Sequence, residues 1–213
     1  MIKQVGDTTY NRIFLRKEGP EQSLAQVAEG IPGPYRHELE RNCSGFEYHI
    51  AAVITDKNFF NNAVAVNFAE KDVDEAMVLH FTKEPAYKYD GITSVLAIKK
   101  RVKKLDEGAK AGTAEVERVI REGIKKIVAG EKNTKDQIQN KRIANKITME
   151  IQKSTKGLLP ELKWSYFISV MTAETHYEIG YSDAEGSDTL RIEVREINEE
   201  FHVLAITIGT PNA

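Results

Sequence analysis

Residues 80–82 carry side chains that could act on a phosphate ester. His80, Phe81 and Thr82 have the histidine, hydrophobic, hydroxyl spacing of a phosphodiesterase half-site. In a β-strand, His80 and Thr82 would lie on the same face, where an imidazole and a hydroxyl could contact one phosphate. This chemistry needs the motif twice, and the segments around the other four histidines do not repeat it. An isolated strand histidine is therefore the simpler interpretation.

A second segment, Glu161 to Lys163, has the carboxylate-x-lysine order found in half of a metal-dependent nuclease site. Such a site also needs an upstream acidic residue on a neighbouring strand, so that two carboxylates share the magnesium ion. The upstream segment has the pattern of a helix, and Glu150 within it has no obvious place beside Glu161. A charged entrance to a strand is the simpler interpretation here.

Other reactive arrangements are missing from the sequence. It contains no glycine-rich phosphate loop, no HExxH zinc pair, no GxSxG elbow and no EF-hand loop. The single cysteine, Cys43, has no visible base to activate it. Asp183, Glu185 and Asp188 fit a polar turn better than a calcium loop. The sequence thus predicts no catalytic residue, no metal site and no cofactor.

Charge is distributed unevenly along the chain. Residues 99–156 contain 17 basic and 8 acidic side chains, a local balance of +9, while the rest of the chain carries −11. This asymmetry indicates either a polyanionic partner for the middle of the chain or ion pairing between the middle and the flanks. The sequence leaves both interpretations open.

The cations of this middle segment form the candidate binding surface, for nucleic acid or for an acidic partner. Closely spaced cations suffice for sequence-independent binding to phosphates. No aromatic residue is interleaved with them, which argues against stacking on unpaired bases. The same residues are also explained by a solvent-exposed face whose positive charge balances the negative charge of the flanks. The candidates are Lys99, Lys100, Arg101, Lys103, Lys104, Lys125, Lys126, Lys141, Arg142 and Lys146.

The composition is that of a globular chain. With 41% hydrophobic and 29% charged residues, the 213-residue sequence is too apolar for a disordered chain and too polar for a membrane protein. No apolar run approaches the ~20 residues of a membrane helix. The lone cysteine and the lack of an apolar leader fit a reducing compartment. We therefore predict a soluble, cytoplasmic protein without membrane contact.

The first ninety residues are predicted to hold strands and an extended arm. Residues 1–34 would contain one strand, a short helix at 21–28 and an extended break at 30–34, where Pro32 and Pro34 restrain the backbone. Residues 35–90 would be rich in strands. Within them, 46–54 and 63–68 predict a hairpin, and 77–81 a third strand.

Residues 91–157 are predicted to form a basic segment of three helices. The first would be capped by Asp90, with Ile92, Val95 and Ile98 on its apolar face. Glycines separate it from two further helices, each of which has its own apolar stripe.

From residue 158 to 213 the pattern changes to a period of two. Four strand candidates separated by short polar turns predict an antiparallel meander. The fold class expected is α+β, in which the four-stranded C-terminal meander and the N-terminal hairpin pack with the three-helix central segment into one compact unit.

Three functional hypotheses follow from these patterns. The leading one is a non-enzymatic protein-interaction or accessory protein, with a protein partner or self-association, because no convergent catalytic set is visible. The second is a nucleic-acid-binding accessory protein that uses the basic helical segment. The third is a phosphodiesterase or nuclease built around His80 or Glu161.

Overall fold

The computed structural model describes residues 22–55, 63–67, 73–81, 90–99, 105, 108, 111–186 and 188–211. They form helices and antiparallel sheets, which confirms the α+β class. In chain order the elements are α1 (Leu24–Gly30), α2 (Pro32–Asn42), β1 (Phe46–Thr55), β2 (Ala63–Asn67), β3 (Val73–Phe81), β4 (Asp90–Lys99), α3 (Thr113–Val128), α4 (Gln137–Thr155), β5 (Leu162–Thr172), β6 (Tyr177–Ser182), β7 (Leu190–Ile197) and β8 (Phe201–Pro211).

The chain divides into two compact units. The first takes the described parts of Met1–Phe59, Lys71–Arg101 and His176–Ser187, and its antiparallel sheet has the strand order β3-β4-β1-β6. The second takes the described parts of Phe60–Glu70, Val102–Thr175 and Asp188–Ala213, and its antiparallel sheet has the order β2-β5-β8-β7.

In the first unit, α1 and α2 pack on the sheet. A capping box starts α1, because the Ser23 hydroxyl accepts from the Gln26 N–H at 3.3 Å while the Gln26 side chain accepts from the Ser23 N–H at 2.9 Å. Tyr35 and Leu39 of α2 are buried against β1 and β4. The extended break predicted at 30–34 is wrong, since both prolines lie in the first turn of α2, where no backbone N–H is needed.

The helix predicted after Asp90 is also wrong, because this segment is the strand β4. Every residue from 91 to 98 is buried, so both faces of the strand are apolar or small and no alternation shows in the sequence. The spacing of Ile92, Val95 and Ile98 then matches a helical period by coincidence. β4 lies between β3 and β1, with Val95 opposite Ile50 of β1 and Met77 of β3.

In the second unit, α3 and α4 cover one face of the sheet. Their apolar stripes, which the sequence predicted, meet in a core with Tyr166, Ile168 and Val170 of β5 and with alternate residues of β7 and β8. Asp136 caps α4 by accepting from the Ile138 N–H at 2.9 Å. The second and third helices of the predicted segment are therefore confirmed.

Two strands do not pair with the strands next to them in sequence. The predicted hairpin and the predicted four-stranded meander are therefore wrong in their strand pairing. β2 does not pair with β1 but joins β5 in the second sheet, and β6 pairs with β1 in the first sheet rather than with β5 or β7. Gly180 gives a physical reason for the placement of β6. A side chain at Gly180 would meet the backbone carbonyl oxygen of Ala28 in α1 at 1.9 Å, so this strand is shaped to lie beside α1.

The two halves of the chain repeat one topology. Among the described residues, each half contributes two helices and four strands, and each sheet places the third, fourth and first strands of one half beside the second strand of the other half. Each unit is therefore completed by a strand from the opposite half of the sequence.

Candidate interaction surface

The outer face of α4 carries half of the sequence-predicted cations that the structure describes. Lys141, Arg142 and Lys146 are exposed on it, and Lys153 continues the same face toward the end of the helix. Ile138 and Met149 are 67% and 70% exposed, and they lie on this face eleven residues, or about three helical turns, apart. We call these six residues the α4 face.

Three of the predicted cations are neutralised within the second unit. Lys126 donates to Glu150 at 2.6 Å, the Lys125 ammonium lies 3.8 Å from Glu196, and Lys146 pairs with Glu131. The hydrogen bond from Lys126 lowers the pKa of Glu150 below its usual value. These residues support the interpretation in which cations of the basic segment form ion pairs with carboxylates of the same fold.

The outer side of α3 is balanced in the same way. Arg118 contacts Glu115 and Glu122, each at 2.6 Å, which holds the pKa of the Arg118 guanidinium above its usual value. Arg121 contacts Glu117 at 2.9 Å and also pairs with Glu196. The pairs of Arg118 with Glu115 and Glu122, and of Arg121 with Glu117, have the i, i+3 or i, i+4 spacing that places side chains side by side on a helix.

Other cations of α4 have no such partner. Within the part of the chain that the structure describes, no carboxylate lies within ion-pair distance of Lys141, Arg142 or Lys153, or of Lys156 just after the helix, although the charge of Lys153 helps to lower the pKa of Glu150. Among the remaining candidates, Lys99 is the last residue of β4, whereas Lys100, Arg101, Lys103 and Lys104 lie outside the described residues. The net positive charge described on the second unit is thus concentrated on α4.

A cavity of about 790 Å³ opens where α4 ends and β5 begins. Three lysines line it, namely Lys153, Lys156 and Lys163, together with the ring of Trp164 and the phenol of Tyr166. We call it the Trp164 cavity. No acidic residue is among its described lining residues. Sequence patterns did not predict this site, although a tryptophan at the start of a strand, just after closely spaced lysines, is a signal that could have indicated it.

A buried pair of hydroxyl groups belongs to the lining of the Trp164 cavity. The Thr155 hydroxyl donates to the Ile151 carbonyl at 2.8 Å, so the Tyr166 hydroxyl must donate to Thr155 across their 2.6 Å contact. Burial raises the pKa of Tyr166 above its ordinary value of 10.0. The phenol therefore stays protonated through the neutral range.

This raised pKa gives a prediction for alkaline stability. A raised folded-state pKa means that the stabilisation from Tyr166 is complete below pH 10.0 and is lost as the pH rises through the folded value. Tyr166→Phe removes the titrating group, so the free energy of unfolding should fall less steeply above pH 10.0 in this variant than in the parent chain. Urea denaturation between neutral and alkaline pH measures the difference. Equal slopes for the two proteins would contradict the assignment.

Of the reactive segment around residues 80–82, the structure describes only the backbone of His80 and Phe81, and Glu161 lies elsewhere in the chain. His80 lies in β3 with its backbone paired to Ile92 of β4, and Thr82 is outside the described residues. Glu161 precedes β5 in a turn, while the carboxylate of Glu150 is held by Lys126. In the described part of the chain, no three metal-ligating side chains cluster closely enough to hold an ion.

Two other histidines have structural contacts. His49 is buried in β1, and its Nδ1 lies 3.1 Å from an Asp183 carboxylate oxygen in the residue after β6. His202 Nδ1 lies 3.2 Å from the carbonyl oxygen of Thr175. Cys43 is half-buried at the end of α2, where its N–H donates to the Leu39 carbonyl at 2.9 Å.

Comparisons with known proteins assign no family to this chain. No protein-family model matches the sequence, and no curated protein is similar to it at a significant level. Among the described helices, none combines the length and the apolar character required to cross a membrane.

Proposed function

We propose that this chain is a non-enzymatic interaction protein that binds an acidic segment of a partner protein through the α4 face. The observation that carries the proposal is the combination on one helix of Lys141 and Arg142, which have no carboxylate within ion-pair distance among the described residues, with two exposed large hydrophobic residues. Lys141 and Arg142 lie close in sequence to Ile138, and Lys153 lies one turn beyond Met149.

The exposed hydrophobic residues favour a protein partner over a nucleic acid. A surface that tracks phosphates needs cations and gains nothing from aliphatic side chains between them. A protein interface typically joins apolar side chains to a polar rim, and methionine and arginine are enriched there. Ile138 and Met149 would be covered by the partner while the neighbouring cations meet its carboxylates. We propose no reaction at His80 or Glu161.

Paired charge substitutions test the proposal. In Lys141→Gln/Arg142→Gln two cations of the α4 face are lost, and in the matched variant Lys125→Gln/Lys126→Gln two cations that already contact carboxylates are lost. We expect the first variant to bind a labelled polyglutamate peptide about tenfold more weakly than the parent chain, which corresponds to ~1.4 kcal/mol. The matched variant should lose far less, because its lysines are already engaged.

Fluorescence anisotropy at low salt measures these affinities, and duplex DNA is titrated in parallel. Equal losses in the two variants would contradict a role for the α4 face. Tighter binding to duplex DNA than to polyglutamate would instead favour the nucleic-acid hypothesis, with a binding constant that falls steeply with salt.

A further inference from the structure

We propose that the Trp164 cavity receives an aromatic side chain of the acidic partner segment, so that the ligand is an aromatic residue flanked by carboxylates. The inference rests on the proposed function and specifies which feature of the partner is recognised. It is carried by the size of the cavity, by its lining and by the charge at its rim.

The size and the walls of the cavity fit an aromatic ring. Its volume of about 790 Å³ lies within the range of ~300 to 1,000 Å³ typical of ligand pockets. Met149, Leu158 and Pro160 are apolar members of the lining, and its indole is that of Trp164, which also packs over Gly209. Aromatic rings pack favourably against each other in offset or edge-to-face geometry, and methionine sulfur packs well against ring edges.

The rim of the cavity selects for negative charge beside the ring. Lys153 and Lys156 line it, and neither has a carboxylate within ion-pair distance among the described residues; Lys163 is the third lysine of the lining. The C-terminus of α4 also faces this region and carries about half a negative charge from its peptide dipoles. Two full positive charges outweigh that half charge, so carboxylates on either side of an inserted ring would be attracted.

The cavity is held open by a fixed turn between α4 and β5. Gly157 has φ +92°, which favours glycine, and Leu159 has φ +48° immediately before Pro160. The Leu158 N–H donates to the Thr155 carbonyl at 3.0 Å, and the Leu162 N–H donates to the Leu159 carbonyl at 2.9 Å. These bonds fix both ends of the turn, so the walls contributed by Leu158 and Pro160 are in place before a ligand binds.

The chain contains a single tryptophan, and that tryptophan lines the cavity, so intrinsic fluorescence reports its occupancy directly. Two peptides serve as probes. One is a run of glutamates with a central phenylalanine, and the other is identical except for alanine at the centre. We expect the phenylalanine peptide to change the Trp164 emission and to bind about tenfold more tightly than the alanine peptide. Affinities are measured separately by calorimetry, which does not depend on Trp164.

The outcomes separate the two proposals. If both peptides bind equally and the Trp164 emission is unchanged, the cavity inference is overturned while the α4 face remains a binding surface. If neither peptide binds, the proposed function itself fails. An aromatic-dependent gain in affinity together with an emission change supports both.

Charge variants locate the effect on the helix. Lys153→Gln/Lys156→Gln removes two cations from the cavity rim, so it should reduce the ratio of the two peptide affinities by several fold. Lys141→Gln/Arg142→Gln removes the same charge from the same helix away from the cavity, and it should weaken both peptides alike and leave that ratio unchanged. A ratio that changes equally in both variants would overturn the assignment to the cavity.

Discussion

Gly180→Ala is expected to destabilise the first unit by about 3 to 5 kcal/mol, at the upper end of the range for single substitutions. The added methyl group would lie 1.9 Å from the carbonyl oxygen of Ala28 and 2.5 Å from its carbonyl carbon. Both atoms belong to the backbone of α1, so no side-chain rotation relieves the clash. Either α1 must move away from β6 or β6 must leave the edge of β1.

A second glycine of the same unit provides the control for this prediction. Gly30 is the last residue of α1, and a methyl group there would meet no atom within 4 Å apart from its chain neighbours and the helix's own backbone. Alanine at position 30 should be neutral or should raise stability by up to about 1 kcal/mol, because alanine has the higher helix propensity. Urea denaturation followed by circular dichroism compares the variants. A Gly180→Ala midpoint close to that of the parent would show that α1 and β6 are not packed as described.

Ile120→Ala should cost the second unit about 2 to 5 kcal/mol. Ile120 is fully buried on α3 within the core that α3 and α4 form with the sheet, so truncation removes apolar contacts and leaves a cavity. The comparison variant is Ile138→Ala on α4, where the same side chain is 67% exposed and the expected change is within about 0.5 kcal/mol.

Thermal or urea unfolding of these two variants gives the difference between a core and a surface isoleucine directly. Equal midpoints would mean that α3 does not present Ile120 to the core. A large loss in Ile138→Ala would be equally informative, since it would show that the α4 face is covered in the folded protein in solution, for example by self-association.

The candidate site was predictable only in part. The sequence identifies a basic segment, and Lys141 and Arg142 do lie exposed on a helix as expected. Whether a lysine is neutralised depends on which carboxylates the fold brings near it. Lys126 meets Glu150, which is 24 positions away, and Lys125 approaches Glu196, which is 71 positions away. Pairs at such separations carry no sequence signal, and the same holds for the Trp164 cavity, which needs the turn between α4 and β5.

The sequence by itself predicts the helices and strands that bury one face and expose the other. In α3, Val116, Ile120 and Ile124 repeat at helical spacing because one face packs on a core and the other meets solvent. In β7, Ile192 and Val194 alternate with exposed Arg191 and Arg195 for the same reason. Where one face of an element is exposed to solvent, polar and apolar residues alternate with the period of that element. The α+β class can be predicted because several helices and several strands show such a pattern.

Only the tertiary structure decided the elements that lack this contrast and the pairing of the strands. β4 is buried along its length from residue 91 to 98, so its polarity has no period that distinguishes a strand from a helix. β2 and β6 pair across the two halves of the chain because hydrogen bonding between backbones is indifferent to sequence distance, and the choice of partner depends on close contacts such as that of Gly180 with α1. Local patterns specify what a segment is, whereas the fit between distant backbones specifies where it lies.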